Sequence, residues 1–527
     1  MVPVLPRALR TSRWLLSLSL GLLLSACQST PEYHPEERQQ SYTLSGGAGT
    51  RLRDFIEPKM AGHESDQSAL YLLQDGLEAF VARVTLMDEA DVSLDLQYYI
   101  FADDTSGLII LAKALQAADR GVRVRLLVDD VGTLITDSWV SLLQYHPNIE
   151  IRVFNPVAAR AGMSRVMQGL SEFERVNHRM HNKLLVADGQ VIITGGRNIA
   201  DAYFSNDETL FHDVDIICAG PVVQQATASF DAYWNHPVAV PLDILLPPKE
   251  GAEGLQRLRQ KSAEFIEQTR HSVFAEALRE TPLLHRIQSG ELSFAWGRAQ
   301  LYADPPDKAA RHDEVDRSEY LIEHLLPVLA RSEQRLQMSS AYFIPGDMGV
   351  EFLTALERRG VEVSVLTNAL STTDVGVVHS GYSKYRDDLL QNGIELWELR
   401  SQAGRNTRLK WFKGSSRASL HAKSFVIDDD RAVIGSVNLD GRSVLQNTEI
   451  GVYVENPEIN RQLAETFARW TSPESAWRVT LDDDSNLRWQ ATDDEGNPIV
   501  EHKDPETSAW QRFKVWVLSL LPVEKQI

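Results

Sequence analysis

Short apolar runs rich in Val, Ile and Leu alternate along this chain with longer stretches whose apolar residues recur at helical spacing. Residues 92–100, 122–128 and 214–219 read as strands, with a helix over 107–119 between the first two. A further helix is expected near 70–85. Later, 315–330 reads as a helix and 336–344 as the strand that follows it. Such alternation predicts an α/β fold, a mixed or parallel sheet with helices on its faces.

The pattern occurs twice. Arg120 to Leu127 pairs with Arg359 to Leu366 at an offset of 239, and Tyr98-Tyr99-Ile100-Phe101 pairs with Ala341-Tyr342-Phe343-Ile344 at 243. The best match contains the polar residues that carry chemistry. His181-Asn182-Lys183, then Leu184 to Val186 and Asp188, recurs as His421-Ala422-Lys423, then Ser424 to Ile427 and Asp428. Gly195-Gly196-Arg197-Asn198 recurs as Gly435-Ser436-Val437-Asn438, and every equivalent position is 240 residues apart. Two copies of one α/β unit follow, each bearing half of a site. Residues two apart on an extended strand point the same way, so each His and its Lys share a face. Imidazole, ammonium, hydroxyl and amide groups converging on one spot suit a phosphate.

The doubled spacing His-x-Lys-x4-Asp, each copy followed by Gly-x-x-Asn, resembles the phospholipase D superfamily, the HKD enzymes. The residues around it, His178 to Lys183 and Gly195 to Phe204, are similar to bacterial cardiolipin synthases of the C type. The resemblance covers roughly residues 60–475. It implies two pseudo-symmetric α/β sandwich domains with mixed sheets and the active site at their interface. It also implies a catalytic set of His181, Lys183, Asp188, His421, Lys423 and Asp428, with His181 as nucleophile and His421 as acid, then base. The aspartates Asp188 and Asp428 suit structural ion pairs better than chemistry. Two imidazoles can divide attack on phosphorus from protonation of the leaving alcohol. Lys183, Lys423, Asn198 and Asn438, with Ser436, would hold the non-bridging oxygens. Each imidazole needs an acceptor on its other nitrogen. In the family this is an acid downstream of Gly-x-x-Asn, which maps onto Glu449 in the second half and Asp213 in the first. Asp215 competes with Asp213, because the spacing from Asn198 exceeds that between Asn438 and Glu449. Ser436 has no hydroxyl counterpart at Gly196, where Arg197 could compensate. No metal and no cofactor are expected, since the ammonium groups supply the positive charge.

The ends of the chain add an address. Arg7, Arg10 and Arg13 precede the apolar run from Trp14 to Leu24, and Leu24-Ser25-Ala26-Cys27 resembles a lipobox. Residues 1–26 are therefore expected to be a lipoprotein signal peptide, with lipidation at Cys27. The resemblance to Gram-negative lipoproteins, with Gln28 rather than Asp after the cysteine, implies the inner leaflet of the outer membrane, the inner membrane being the alternative, and so a lipid-anchored, periplasm-facing envelope protein. The remaining expected divisions are a flexible tether over 27–60, a first HKD domain over 61–240 and a helical connector over 241–290. A second HKD domain over 291–480 and a tail over 481–527 complete the chain. In the tail Trp510, Phe513, Val517 and Leu521 share a helical face, expected to dock on the chain's own core rather than on lipid. The other cysteine, Cys218, reads as a buried thiol in an apolar run.

Charge narrows the substrate. With a net charge of −20 and a pI near 5.2 the chain is poorly matched to a polyanionic duplex. Arg160, Arg165, Arg175 and Arg179 form one small basic group before the first motif. The expectation is a phosphatidyl transferase that makes cardiolipin from phosphatidylglycerol and a second phospholipid, phosphatidylethanolamine being suggested by the resemblance. Its site would be complete in a monomer, on a membrane-anchored chain, with no nucleic-acid partner. A phospholipase D releasing phosphatidic acid is the alternative, an HKD nuclease the second, and an envelope scaffold with vestigial motifs the third.

Overall fold

The computed structural model describes residue 34 and residues 39–520, apart from 134–138, 157–176, 208, 247–250, 311–315, 402–416 and 494. In the first half β1 (Gln67–Leu73) is followed by three parallel strands, β2 (Ser93–Tyr98), β3 (Arg123–Asp129) and β4 (Ile149–Phe154). β5 (Leu184–Ala187) lies antiparallel on β2, and β6 (Val191–Gly195) on β5. A short outer strand, β7 (Thr209–His212), leads to β8 (Asp215–Ala219), which joins β6 to β1, while β9 (Ala239–Pro241) edges β4.

The second half repeats this plan with β10 (Ala295–Ala303), β11 (Arg335–Ser340), β12 (Glu362–Asn368) and β13 (Glu395–Leu399). The outer strand β14 (Arg417–Leu420) precedes β15 (Lys423–Ile427), β16 (Arg431–Gly435) and β17 (Ile450–Glu455). β18 (Ala476–Leu481), β19 (Leu487–Thr492) and β20 (Pro498–Glu501) extend the far edge. β1 and β10 pair antiparallel, Gln67 opposite Arg298, so among the described residues the two mixed sheets run into one continuous sheet of 18 strands. One core cluster spans the seam, with Leu70 and Ile216 from one half and Ile434 and Val452 from the other.

Four readings from the sequence need correcting. The apolar run at 69–73 is strand β1, and the helix starts only at Gly76, behind an Asp75 cap whose carboxylate accepts from the Leu77 and Glu78 amides. A continuous apolar run does not distinguish a strand buried on both faces from a helix. The helix expected over 315–330 is a short turn at Arg317–Glu319 followed by helix Leu321–Ala330. Residues 39–60 are no flexible tether: Ser41 and Thr43 are hydrogen-bonded to Arg125, Asp231 and Asn235, and helix Arg51–Met60 buries Leu52 and Ile56. Those partners lie far along the chain, out of reach of a local reading. The tail helix, finally, is not docked through its aromatic face, as described below. The region read as a connector is helical over Gly251–Thr269, Val273–Arg279 and Pro282–Ser289. Cys218 is fully buried, and burial pushes its thiol pKa up. The signal peptide and Cys27 lie outside the described residues; among those described, no helix is long and apolar enough to cross a membrane.

The motif aspartates stand at the end of β5 and β15 remote from the histidines. Asp188 sits at φ 50° and its carboxylate accepts from the backbone amides of Asp91, Val92 and Ser93. Asp428, also at φ 50°, does the same for Glu333, Gln334 and Arg335 and pairs with Arg431. Each therefore ties the turn after its motif strand to the start of the antiparallel neighbour, β2 or β11, a brace rather than a reacting group. Alanine at either position strands three amides, so stability measured by urea unfolding is expected to fall by about 3–5 kcal/mol. Asparagine keeps an acceptor and tolerates positive φ, and should lose less than half of that. A loss under about 1 kcal/mol for Asp188→Ala would refute the brace.

Candidate active site

The C-terminal ends of β2, β3 and β4, and of β11, β12 and β13, are where β5 and β15 begin. The motif residues His181, Lys183, His421 and Lys423 stand there, at the edge where open α/β sheets place ligands. All four are buried or nearly so.

The two halves are stitched at this point by matching backbone bonds. The amide of His181 donates to the carbonyl of Thr448, and the amides of His421 and Ala422 to the carbonyl of His212, each at 2.9 Å. Thr448 and His212 immediately precede Glu449 and Asp213. β14 and β7 pair in parallel, and Met180 bridges Thr448 in the corresponding place. The consequence is an exchange of acids. His181 Nδ1 meets Glu449 Oε2 at 2.9 Å, and His421 Nδ1 meets Asp213 Oδ2 at 2.7 Å. Each imidazole is oriented by a carboxylate of the opposite half, and each keeps Nε2 for something else. The competitor Asp215 is occupied elsewhere, paired with Arg83 at 2.9 Å and Arg197 at 3.3 Å.

The ammonium groups are held close by their own motifs. Lys183 Nζ donates to the His181 carbonyl at 2.6 Å, and Lys423 Nζ donates to that of His421. Asn198 accepts from the Ile100 amide at 3.1 Å and donates to Tyr203 Oη at 2.9 Å. Asn438 accepts from the Tyr342 amide at 3.3 Å. Both amides are thus fixed at the ends of β2 and β11.

Ser436 does not stand with them. Its hydroxyl donates to Glu449 Oε2 and accepts from the Ile450 amide at 3.0 Å, so it braces the acid that orients His181. The sequence reading that placed it on phosphate is corrected accordingly. Gly196 has no side chain for a related reason: a Cβ there would lie 2.1 Å from Asp213 Oδ1. The Asp213 carboxylate itself fills the space that the serine hydroxyl occupies in the other half. Arg197 does not compensate at the site either. Its guanidinium is spent on the carbonyls of Leu73, Gln74 and Asp213, which fixes the strand that bears the acid. Arg179 likewise leaves the basic group expected before the motif, being buried against Asp129 at 3.0 Å; the other three arginines lie outside the described residues.

Aromatic rings complete the walls. Tyr203 Oη is 3.4 Å from His421 Nε2, so a first-half residue touches the second-half imidazole. Tyr99 packs edge-on to His181 with ring centroids 5.0 Å apart, and Lys183 Nζ lies 5.6 Å from its centre. Sequence reasoning assigned these tyrosines no role, although Tyr99 and Tyr342 occupy matching places in the repeat.

The electrostatics are those of buried cationic groups crowded together. Burial pulls the His181 and His421 pKa values down, reinforced by the neighbouring lysines. Burial also lowers Lys423, and brings Lys183 down to about 7. The two acids differ. Burial pushes Glu449 up to about 7 against the pull of Lys183 and Ser436. Burial opposes the charge on Asp213 too, yet His421, Lys423 and Arg197 together hold it below the usual carboxylate range.

The comparisons with known proteins bear on the family and the fold. A family model described as "Cardiolipin synthase, PLD-like domain" matches residues 84–234 and again 325–471, the two halves of the sheet. Cardiolipin synthase C of Escherichia coli strain K12 is 37% identical over 477 residues, covering 90% of this chain and 99% of that protein. An uncharacterized protein of Helicobacter pylori strain 26695 is 33% identical over 461 residues, 86% of this chain and 88% of the other. The solved phosphatidylserine synthase of Haemophilus influenzae shares the fold, with a TM-score of 0.54 at 12% identity over 90% of this chain and all of that one. With two family matches falling on the two halves, and an identity of 37% sustained over almost the whole length, this chain belongs to the phospholipase D-like family of cardiolipin synthases.

Proposed function

We propose that this enzyme moves a phosphatidyl group between phospholipids, taking it from a donor such as phosphatidylethanolamine and delivering it to the glycerol of phosphatidylglycerol to make cardiolipin. The observation that carries the reading is the crossed pair of imidazoles, each with Nδ1 taken by an acid of the other half and the two lysines beside them. His181 Nε2 attacks phosphorus, the bond from phosphorus to the head-group oxygen breaks, and His421 Nε2 gives that oxygen its proton. The acceptor hydroxyl then attacks the phosphatidyl-histidine, surrenders its proton to His421, and releases His181. Lys183, Lys423, Asn198 and Asn438 face the non-bridging oxygens.

The unequal acids support this division of labour. A nucleophile must be neutral, and His181 is paired with the weaker acid, Glu449. A general acid must be protonated, and the ionised Asp213 stabilises an imidazolium at His421. The negative phosphodiester of the substrate offsets the lysines that depress both imidazoles. We also propose the envelope location: lipidation at Cys27, with the body facing the periplasm from the inner leaflet of the outer membrane.

The test is product analysis by mass spectrometry. The purified chain is given phosphatidylglycerol with and without phosphatidylethanolamine. Cardiolipin that rises with the second lipid is the expected result. Phosphatidic acid alone would replace transfer by hydrolysis, and no lipid turnover would overturn the reading in favour of a nucleic-acid phosphodiester.

A further inference from the structure

Helix Ala509–Ser519 ends the described chain with its apolar side turned outward. Trp510, Phe513, Trp516, Val517 and Leu520 are 39–66% exposed. At 3.6 residues per turn they fall within one arc of about 120°. The three rings follow one another at centroid distances of 5.5 and 6.0 Å. Toward the other side Val515 and Leu518 are half-buried, and the helix lies against helix Gly376–Tyr382. Its docking uses the poorer face and leaves the richer one to solvent.

The helix is not a loose appendage. Asp504, just before it, pairs with Arg386 at 2.9 Å and His379 at 3.3 Å, and Glu506 accepts from the Ser401 amide at 3.0 Å and Ser371 Oγ at 3.3 Å. These anchors lie in the segments that follow β12 and β13, at the end of the sheet where the histidines sit. From there the next link is Asp374, 2.9 Å from Tyr342 Oη, and Tyr342 is the residue whose amide meets Asn438. Exposed Met348 and Val131 stand at the same ends of β11 and β3.

We infer that this aromatic face docks on an anionic phospholipid bilayer and so seats the mouth of the site on the membrane. Charge complementarity selects that occupant. The helix carries Arg512 and Lys514 and no acid, in a chain of net charge −20. Both cations flank the apolar arc, Arg512 bonded to the Thr507 carbonyl at 2.7 Å and Lys514 over the Trp510 ring at 5.4 Å. Tryptophans within a basic-edged apolar arc are the composition of interfacial helices. The inference rests on the phosphatidyl-transfer reading only for its purpose, since a surface-seated mouth admits lipids without extracting them.

The test reads contact with lipid directly. The full chain, with the same amino terminus in every arm, is mixed with phosphatidylcholine vesicles containing phosphatidylglycerol with brominated acyl chains, which quench tryptophan. Part of the emission is expected to be quenched, and that part should vanish in W510Y/W516Y. F513S/V517S keeps both chromophores and should lose most of the quenching. Its turnover of vesicle lipid should fall about tenfold, with turnover of a short-chain monomeric phospholipid unchanged. Quenching without any lipid turnover would leave the docking standing and remove the proposed function instead. No quenching, or quenching equal in F513S/V517S, overturns the docking. So does self-association that F513S/V517S abolishes without quenching, which would make a second copy the occupant.

Discussion

His181→Ala is expected to lower phosphatidyl transfer by about 10⁴-fold or more, roughly 5.4 kcal/mol of barrier, without unfolding the chain. The imidazole is held by Glu449 on one side and by the Tyr99 ring on another, so its removal takes away the proposed nucleophile and little of the sheet. His421→Ala should cost about 10²–10⁴-fold with a natural donor, because ethanolamine or glycerol leaves as a poor alkoxide unless protonated. The two variants separate on a phosphatidyl donor with p-nitrophenol as leaving group, which departs as a stable anion. His421→Ala should still release a burst of nitrophenol and accumulate phosphatidyl-histidine, detectable as an intact-mass shift. His181→Ala should show neither. A burst from His181→Ala and none from His421→Ala would reverse the assignment between the two nearly symmetric halves.

That symmetry is what the amino-acid sequence carries most plainly. The 240-residue repeat of His, Lys, Asp and Asn announced two equivalent units, and the chain contains them in mirrored strand order on either side of β1 and β10. The motif positions His181, Lys183, His421 and Lys423 lie where β5 and β15 begin, so their shared faces follow from strand periodicity and are legible along the chain. What depends on packing between halves was not legible. Nothing in the spacing of Glu449 or Asp213 tells which imidazole each carboxylate meets, because the answer is set by backbone bonds from His181 to Thr448 and from His421 to His212. The same holds for Ser436, which looks like a phosphate ligand in one dimension and turns to Glu449 in three. The tail helix misled for a different reason. An amphipathic pattern gives the apolar face, and only the location of its neighbours tells whether that face is inside.

The crossing of acids makes its own prediction. Asp213→Asn is expected to cost about 10³–10⁴-fold in transfer, since the amide no longer fixes the tautomer of the imidazole it faces or stabilises its charged form. The carboxylate belongs to the first half, but the damage should appear in the chemistry of the second-half imidazole. With a natural donor the loss is therefore severe. With the p-nitrophenyl donor, where no proton is needed by the leaving group, the burst should be nearly that of the wild type. Glu449→Gln should behave in the opposite way, slowing the burst itself because an amide, which can present NH2 as well as oxygen, no longer fixes the His181 tautomer as the carboxylate does. If Asp213 instead served the imidazole of its own half, Asp213→Asn would slow the burst and Glu449→Gln would spare it. The contact at 2.7 Å between Asp213 and His421, across 208 residues of chain, sets the first outcome as the expected one.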